Sequence, residues 1–107
     1  IAETQAGPHQ GGGITTAYPF FNGAEGFDMT FRKRALHKGA AIGSHFQERD
    51  EIYFILSGTG EFSLNGVSQT VTAGTAILTR AGNTHGLRQT GEVDLVLIIA
   101  YGLHEQP

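Results

Sequence analysis

The chain has 107 residues, enough for one domain with one core. A net charge of −3 gives no electrostatic basis for binding nucleic acid or an anionic membrane, and the lack of cysteine excludes disulfides, thiolate metal sites and thiol nucleophiles. No apolar run approaches the length needed to span a bilayer. Sixteen glycines set between short apolar runs predict many tight turns, and so an all-β domain. A chain that opens on Ile1 rather than methionine fits a removed leader or a shortened sequence, with a cytoplasmic location the favoured expectation.

Residues 1–13 show no period and end in three glycines, which reads as a flexible or draped arm. His9 lies in it and reads as a solvated histidine, with an accessory metal ligand as the alternative. Residues 14–21 form an edge strand, because Pro19 would cost a central strand a hydrogen bond. Asn22-Gly23 opens a loop. Residues 27–36 alternate Phe27, Met29 and Phe31 against Asp28, Thr30 and Arg32, as a half-buried strand does. Arg34 ends that strand as a solvated charge, or else as a carboxylate binder. His37 and His104 read as solvated.

Residues 42–47, 51–57, 61–64 and 67–71 follow as strands, the last two joined by Asn65-Gly66, the best short hairpin signal in the chain. Strands at 76–79, 84–88 and 93–101 complete the set, and no stretch has a helical period. The run V-D-L-V-L-I-I-A-Y is apolar on both faces after Asp94, as strands covered on both sides are. A small barrel covers only the inner face. The outer face therefore calls for the N-terminal arm or a second subunit, and a homodimer is the expectation.

The stretch Gly39 to Gly58 carries the chemistry. His45 and Gln47 share one strand face, with Phe46 turned away. A turn over residues 48–50 brings Glu51 back beside them. His85 is the fourth polar candidate. Imidazole, amide and carboxylate together make a donor set for one divalent metal ion, whether iron, zinc, nickel, manganese or copper. Without a metal, burying two imidazoles and a carboxylate is costly, and a polar network in a barrel mouth is the competing reading. On Glu51's face lie Tyr53 and Ile55, with Phe62, Leu64 and Leu87 from neighbouring strands. These suit a cavity for a small organic ligand. Tyr53 is placed to reach a ligand on the metal, and plain core packing is its competing role.

Two stretches resemble the paired motifs of the cupins. The first motif, G-x5-H-x-H-x3,4-E-x6-G, is met by Gly39, His45, Glu51 and Gly58, with Gln47 at the second histidine. The second, G-x5-P-x-G-x2-H-x3-N, is met by Gly74, Gly82 and His85, with Arg80 at the proline and Gln89 at the asparagine. The likeness covers roughly residues 27–101. It implies an antiparallel jelly-roll β-barrel of the RmlC-like type, divided as an arm and edge strand (1–26) and a barrel (27–107) within one domain.

The likeness also implies a metal held by His45, Gln47, Glu51 and His85, with Glu51 and Tyr53 as the catalytic candidates. His45, Glu51 and His85 match the two-histidine, one-carboxylate set of non-haem iron enzymes. The family's range then implies metal-dependent chemistry on a small organic substrate, of dioxygenase, isomerase, cyclase, lyase or decarboxylase type. The alternatives are a non-catalytic module binding a sugar or other small ligand, and a degenerate cupin without metal, as the weaker donor Gln47 would allow.

Overall fold

A computed structural model describes residues 3–21 and 23–102; Asn22 and His104 lie outside the described residues. Among the described residues ten strands form two antiparallel sheets: β1 (Glu3–Ala6), β2 (Ile14–Phe20), β3 (Met29–Leu36), β4 (Ala41–Phe46), β5 (Glu51–Ser57), β6 (Thr59–Leu64), β7 (Val67–Thr72), β8 (Ala76–Thr79), β9 (Thr84–Gln89) and β10 (Leu95–Gly102). One sheet runs β1-β2-β3-β10-β5-β8 and the other β4-β9-β6-β7. The fold is an all-β antiparallel jelly roll, as the motifs imply. Among the described residues the one helical element is a 3-10 turn at Pro8–Gln10, and no helix is long and apolar enough to cross a membrane.

Turn chemistry sets the registers. Asn65 and Gly66 both have positive φ, 50° and 85°, as the tight turn between β6 and β7 requires. Gly58 is needed for a second reason: a Cβ there would stand 2.3 Å from the Asp94 carbonyl oxygen. Gln89, at the asparagine position of the second motif, is a buried staple. Its Oε1 accepts from the Gly39 N–H at 2.9 Å, and its Nε2 donates to the carbonyls of Gly91 and Val93 at 2.6 and 2.7 Å. Arg80 is an exposed charge, paired with Asp50 at 3.3 Å.

The core lies between the sheets. Leu36, Ile55, Leu87, Leu95 and Leu97 are fully buried, each contributing about 1.5–3 kcal/mol. Tyr53, Phe62 and Ile99 join them, whereas Leu64 reaches the rim and is 39% exposed.

Three expectations need correction. Residues 3–13, expected as a flexible or draped arm, are built into the fold: β1 pairs with β2 from Glu3 opposite Ala17 to Ala6 opposite Ile14, so β1 rather than residues 14–21 takes the sheet edge. Pro19 is still tolerated, because β1 ends its pairing at Ala17 and only β3 lies beside Pro19. The faces of β3 are inverted. Met29 and Phe31 are exposed while Arg34 and Leu36 are buried, so the polar row of this strand turns inward. His37 is not merely solvated: its Nδ1 lies 3.1 Å from Asp94 and its Nε2 2.7 Å from Thr16 Oγ1.

β10 lies between β3 and β5. Leu95, Leu97 and Ile99 point into the core, while Val96, Ile98 and Ala100 point out. The N-terminal segment extends this sheet within its own plane and leaves the outer face uncovered. Ile52, Phe54, Leu56 and Leu78 are 39–56% exposed there.

Candidate metal centre

The two sheets bring the polar candidates together across the barrel. His45 on β4 pairs directly with His85 on β9, so both imidazoles rise from one sheet. Glu51 and Tyr53 come from β5 on the opposite sheet, in the inward row with Ile55. One ligand atom from each of His45, Glu51 and His85 lies within 4.8 Å of the others. Two donors each about 2.1 Å from one ion stand at most about 4.2 Å apart, so a small side-chain adjustment closes the set.

Each imidazole is oriented by its second nitrogen. His45 Nδ1 lies 2.8 Å from the Gly43 carbonyl and donates to it, which leaves the Nε2 lone pair free. His85 Nδ1 lies 2.8 Å from Thr79 Oγ1. A proton on that nitrogen, donated to the hydroxyl, leaves Nε2 as the second lone pair. Such contacts hold metal-binding histidines in tautomer and angle.

Glu51 shows what is missing between them. Its Oε1 is 2.9 Å from His85 Nε2, close enough for an ion pair, yet it is buried and closes no hydrogen bond. A buried carboxylate oxygen without a hydrogen bond is costly. Two donor atoms that converge without bonding each other point at a common third partner, and a divalent cation fits that place. The residues present therefore fit the metal that the motifs imply.

Around this group the walls are mixed. Tyr53 stacks on His85, with ring centroids 5.1 Å apart, and its hydroxyl lies 3.5 Å from Nε2. Burial first, then the charge of Glu51 and a hydrogen bond to it, push the Tyr53 phenol well above its ordinary range. The phenol is thus held as a proton donor. Arg34 is buried rather than solvated and donates to Thr15 Oγ1 at 2.8 Å. Arg32, next on the inward row of β3, donates to the Tyr101 hydroxyl at 2.6 Å.

An inner cavity of about 160 Å³ is lined by His9, Arg32, Arg34, His45, Glu51 and Tyr53, among others. An outer groove of about 460 Å³ carries Gln47, Glu48 and Arg49. Gln47 is buried on that outer wall. A cleft of about 370 Å³ lined by Phe20, Phe21, Phe27 and Phe31 shares only Arg32 with the inner cavity.

Reading the sequence residue by residue misses Arg32 and Thr79, and it weighs Arg34 as a carboxylate binder and His9 as an accessory ligand only as alternatives to solvated side chains. The signal for the arginines is their spacing of two on one strand. His9 stacks on His45, centroids 3.6 Å apart and planes 11° apart, but it does not belong to the group of mutually close ligand atoms.

Comparison with known proteins gives the family of this fold. The model of the cupin domain family matches residues 33–101, and the chain belongs to that family. It is similar to an oxalate-binding protein of Thermotoga maritima, 38% identical over 66 residues, which are 61% of this chain and 54% of the other. The chain thus spans about half the length of that curated relative. It also resembles the crystal structure of a predicted oxalate decarboxylase from Thermotoga maritima, with a TM-score of 0.87 and 27% identity over 97% of this chain and 93% of that one. The fold alone is shared with the cupin domain of Schizosaccharomyces pombe Cnp3, at a TM-score of 0.73 and 15% identity over 82% and 64% of the two chains.

Proposed function

We propose that this protein holds a divalent metal ion at His45, Glu51 and His85, with Gln47 as a weaker fourth donor, and uses it to capture a small carboxylate of the oxalate class. The buried Glu51 oxygen that closes no hydrogen bond carries the metal part of this reading. The carboxylate part draws support from the inward row of β3, where Arg32 and Arg34 face the same cavity as the ligands. Guanidinium groups suit carboxylates by charge and by fork geometry. The cavity, at about 160 Å³, is smaller than the roughly 300 Å³ at which drug-sized sites begin, and so suits an anion of few atoms. The oxalate names borne by the two Thermotoga maritima proteins agree with that size and charge.

When bound, a divalent metal supplies Lewis acidity and a fixed positive charge for the carboxylate oxygens. The chain's own residues do the rest. Arg34 and Arg32 orient the anion, while Ile42 and Ile99 on the cavity wall limit water. Turnover of the bound acid, of lyase or oxidase type, is the second reading. It is favoured by the Tyr53 phenol, which stays protonated beside Glu51 and can deliver a proton at its Oη. In that reading Glu51 is both ligand and proton acceptor for Tyr53.

The exposed row Ile52, Phe54 and Leu56 on the outer face of β5 supports a homodimer that covers this sheet.

Elemental analysis of the protein as purified, followed by calorimetric titration of the metal-loaded form with oxalate, tests the proposal. One equivalent of a first-row metal and saturable oxalate binding are expected. A protein that takes up no metal on titration overturns it. Binding with no product, by mass spectrometry of the reaction mixture, leaves capture as the whole function.

A further inference from the structure

The segment G-P-H-Q-G-G-G is built into the site. The 3-10 turn at Pro8–Gln10 lies against the start of β4. The Ala41 N–H donates to the Gly12 carbonyl at 3.1 Å, and Gly7 N–H to the Gly13 carbonyl at 3.0 Å. The two backbones approach so closely that side chains cannot fit between them. A Cβ on Gly11 would stand 2.0 Å from the Ala41 oxygen, and one on Gly43 would stand 1.9 Å from the His9 oxygen. The glycines that suggest a loose arm in the sequence are the contact surface that fixes this turn.

The fixed turn presents His9, whose backbone is left-handed at φ 54° and ψ 38°. Its ring lies parallel to that of His45 at 3.6 Å. His9, His45, Glu51 and Tyr101 are the four residues common to the walls of the inner cavity and the outer groove. They stand at the junction of the two spaces, with His9 alone contributed by a segment outside the barrel strands.

We propose that His9 is a specificity-determining residue: its ring, laid flat on His45, walls the inner cavity off from the outer groove and limits the site to ligands of a few heavy atoms. The partition stands on the geometry alone, while the carboxylate nature of the ligand rests on the function proposed above. With the ring removed, cavity and groove become one space, and a longer acid reaches the metal group while extending toward Gln47 and Arg49.

Two experiments separate these claims. The first uses the metal-free protein and diethyl pyrocarbonate, with modification of each histidine followed by peptide mass spectrometry. His9→Gly keeps the left-handed backbone without a side chain. Gly11→Ala lifts the turn with His9 intact. Both are expected to speed modification of His45 by about tenfold or more, as local opening of a protected site does, while His9→Phe, which restores a flat ring, stays near wild type. His37 lies outside both walls and serves as the internal reference. An unchanged His45 rate in His9→Gly overturns the proposal, and so does a rise at His37 in step with His45, which would mean general loosening.

The second experiment titrates manganese-loaded protein with oxalate, malonate and succinate by calorimetry. Wild type is expected to favour oxalate. His9→Gly is expected to gain about tenfold or more for the longer acids with little change for oxalate, the scale at which a pocket discriminates single methylenes. A parallel loss for all three acids marks His9 as structural only and overturns the proposal. If wild type binds none of the three, the carboxylate reading fails, and the modification experiment still decides the partition.

Discussion

Thr79 Oγ1 lies 2.8 Å from His85 Nδ1, and both groups are buried. The hydroxyl comes from β8 in one sheet and the imidazole from β9 in the other, so this contact ties the sheets together behind the candidate metal ligands. Thr79→Val keeps the volume and deletes the acceptor. Metal affinity is expected to fall about tenfold or more, as for other residues that orient a ligating histidine. The fold is expected to lose roughly 1–3 kcal/mol, because the buried His85 Nδ1–H is left without an acceptor. Competition titration against a chelator, with a thermal melt of the metal-free protein, checks both figures. A variant with wild-type affinity would show that His85 needs no orientation from Thr79.

Glu51 sets stability against function. In the metal-free protein its buried oxygen has no hydrogen-bond partner. Glu51→Gln removes the charge while keeping the shape. Metal retention through dialysis is expected to be lost in this variant and in Glu51→Ala. The metal-free Glu51→Gln protein, by contrast, is expected to be the more stable, because an amide N–H in place of Oε1 can donate to the His85 Nε2 lone pair 2.9 Å away. A melting temperature several degrees above that of metal-free wild type is the corresponding observation. Full metal occupancy in Glu51→Ala after dialysis would sink the site.

Gln47 occupies the histidine position of the first motif and lines the outer groove beside His45 and Glu51. An imidazole is a better donor than an amide oxygen for first-row metals. Gln47→His is expected to tighten metal binding about tenfold or more. The same titration in wild type and variant reads this directly. Equal or weaker affinity in the variant would remove Gln47 from the ligand set.

Tyr53 gives a pH dependence whose sign is fixed. Its phenol in the folded protein is raised well above the ordinary 10.0. The unfolded chain therefore releases this proton first as pH rises. Tyr53 supports the fold fully below about pH 10 and loses that contribution above it, towards the raised folded value. Ultraviolet titration of wild type and Tyr53→Phe is expected to give equal phenolate absorbance until base unfolds the protein, with an extra step for wild type only then. A difference in phenolate signal while both are folded would contradict the burial of this hydroxyl.

Much of the barrel is legible in the sequence because turn and motif positions carry local chemistry. Asn65-Gly66 specifies its hairpin, and the spacing of His45, Glu51 and His85 alone brings three donors together. β3 is less legible. Its apolar row invites an inward reading, but the barrel interior here holds a cavity with polar walls, so Arg32 and Arg34 face in and Phe31 faces out. Alternation tells which residues share a face and not which face is inside. The N-terminal turn is hidden for another reason: glycines used for close backbone contact look the same in sequence as glycines used for freedom.

The position of β10 governs when this protein can come into being. Residues Leu95–Gly102 are the last described strand, and they separate β3 from β5. Until they emerge from the ribosome, two long strands each wait with an open, hydrogen-bond-hungry edge, and Glu51 has no fixed place opposite the histidines. Assembly of the larger sheet is thus withheld until residues 95–102 have been made, and the waiting strands are the hazard for intermolecular pairing. A metal at the proposed centre would load only once β10 has closed the larger sheet and set Glu51 opposite the histidines.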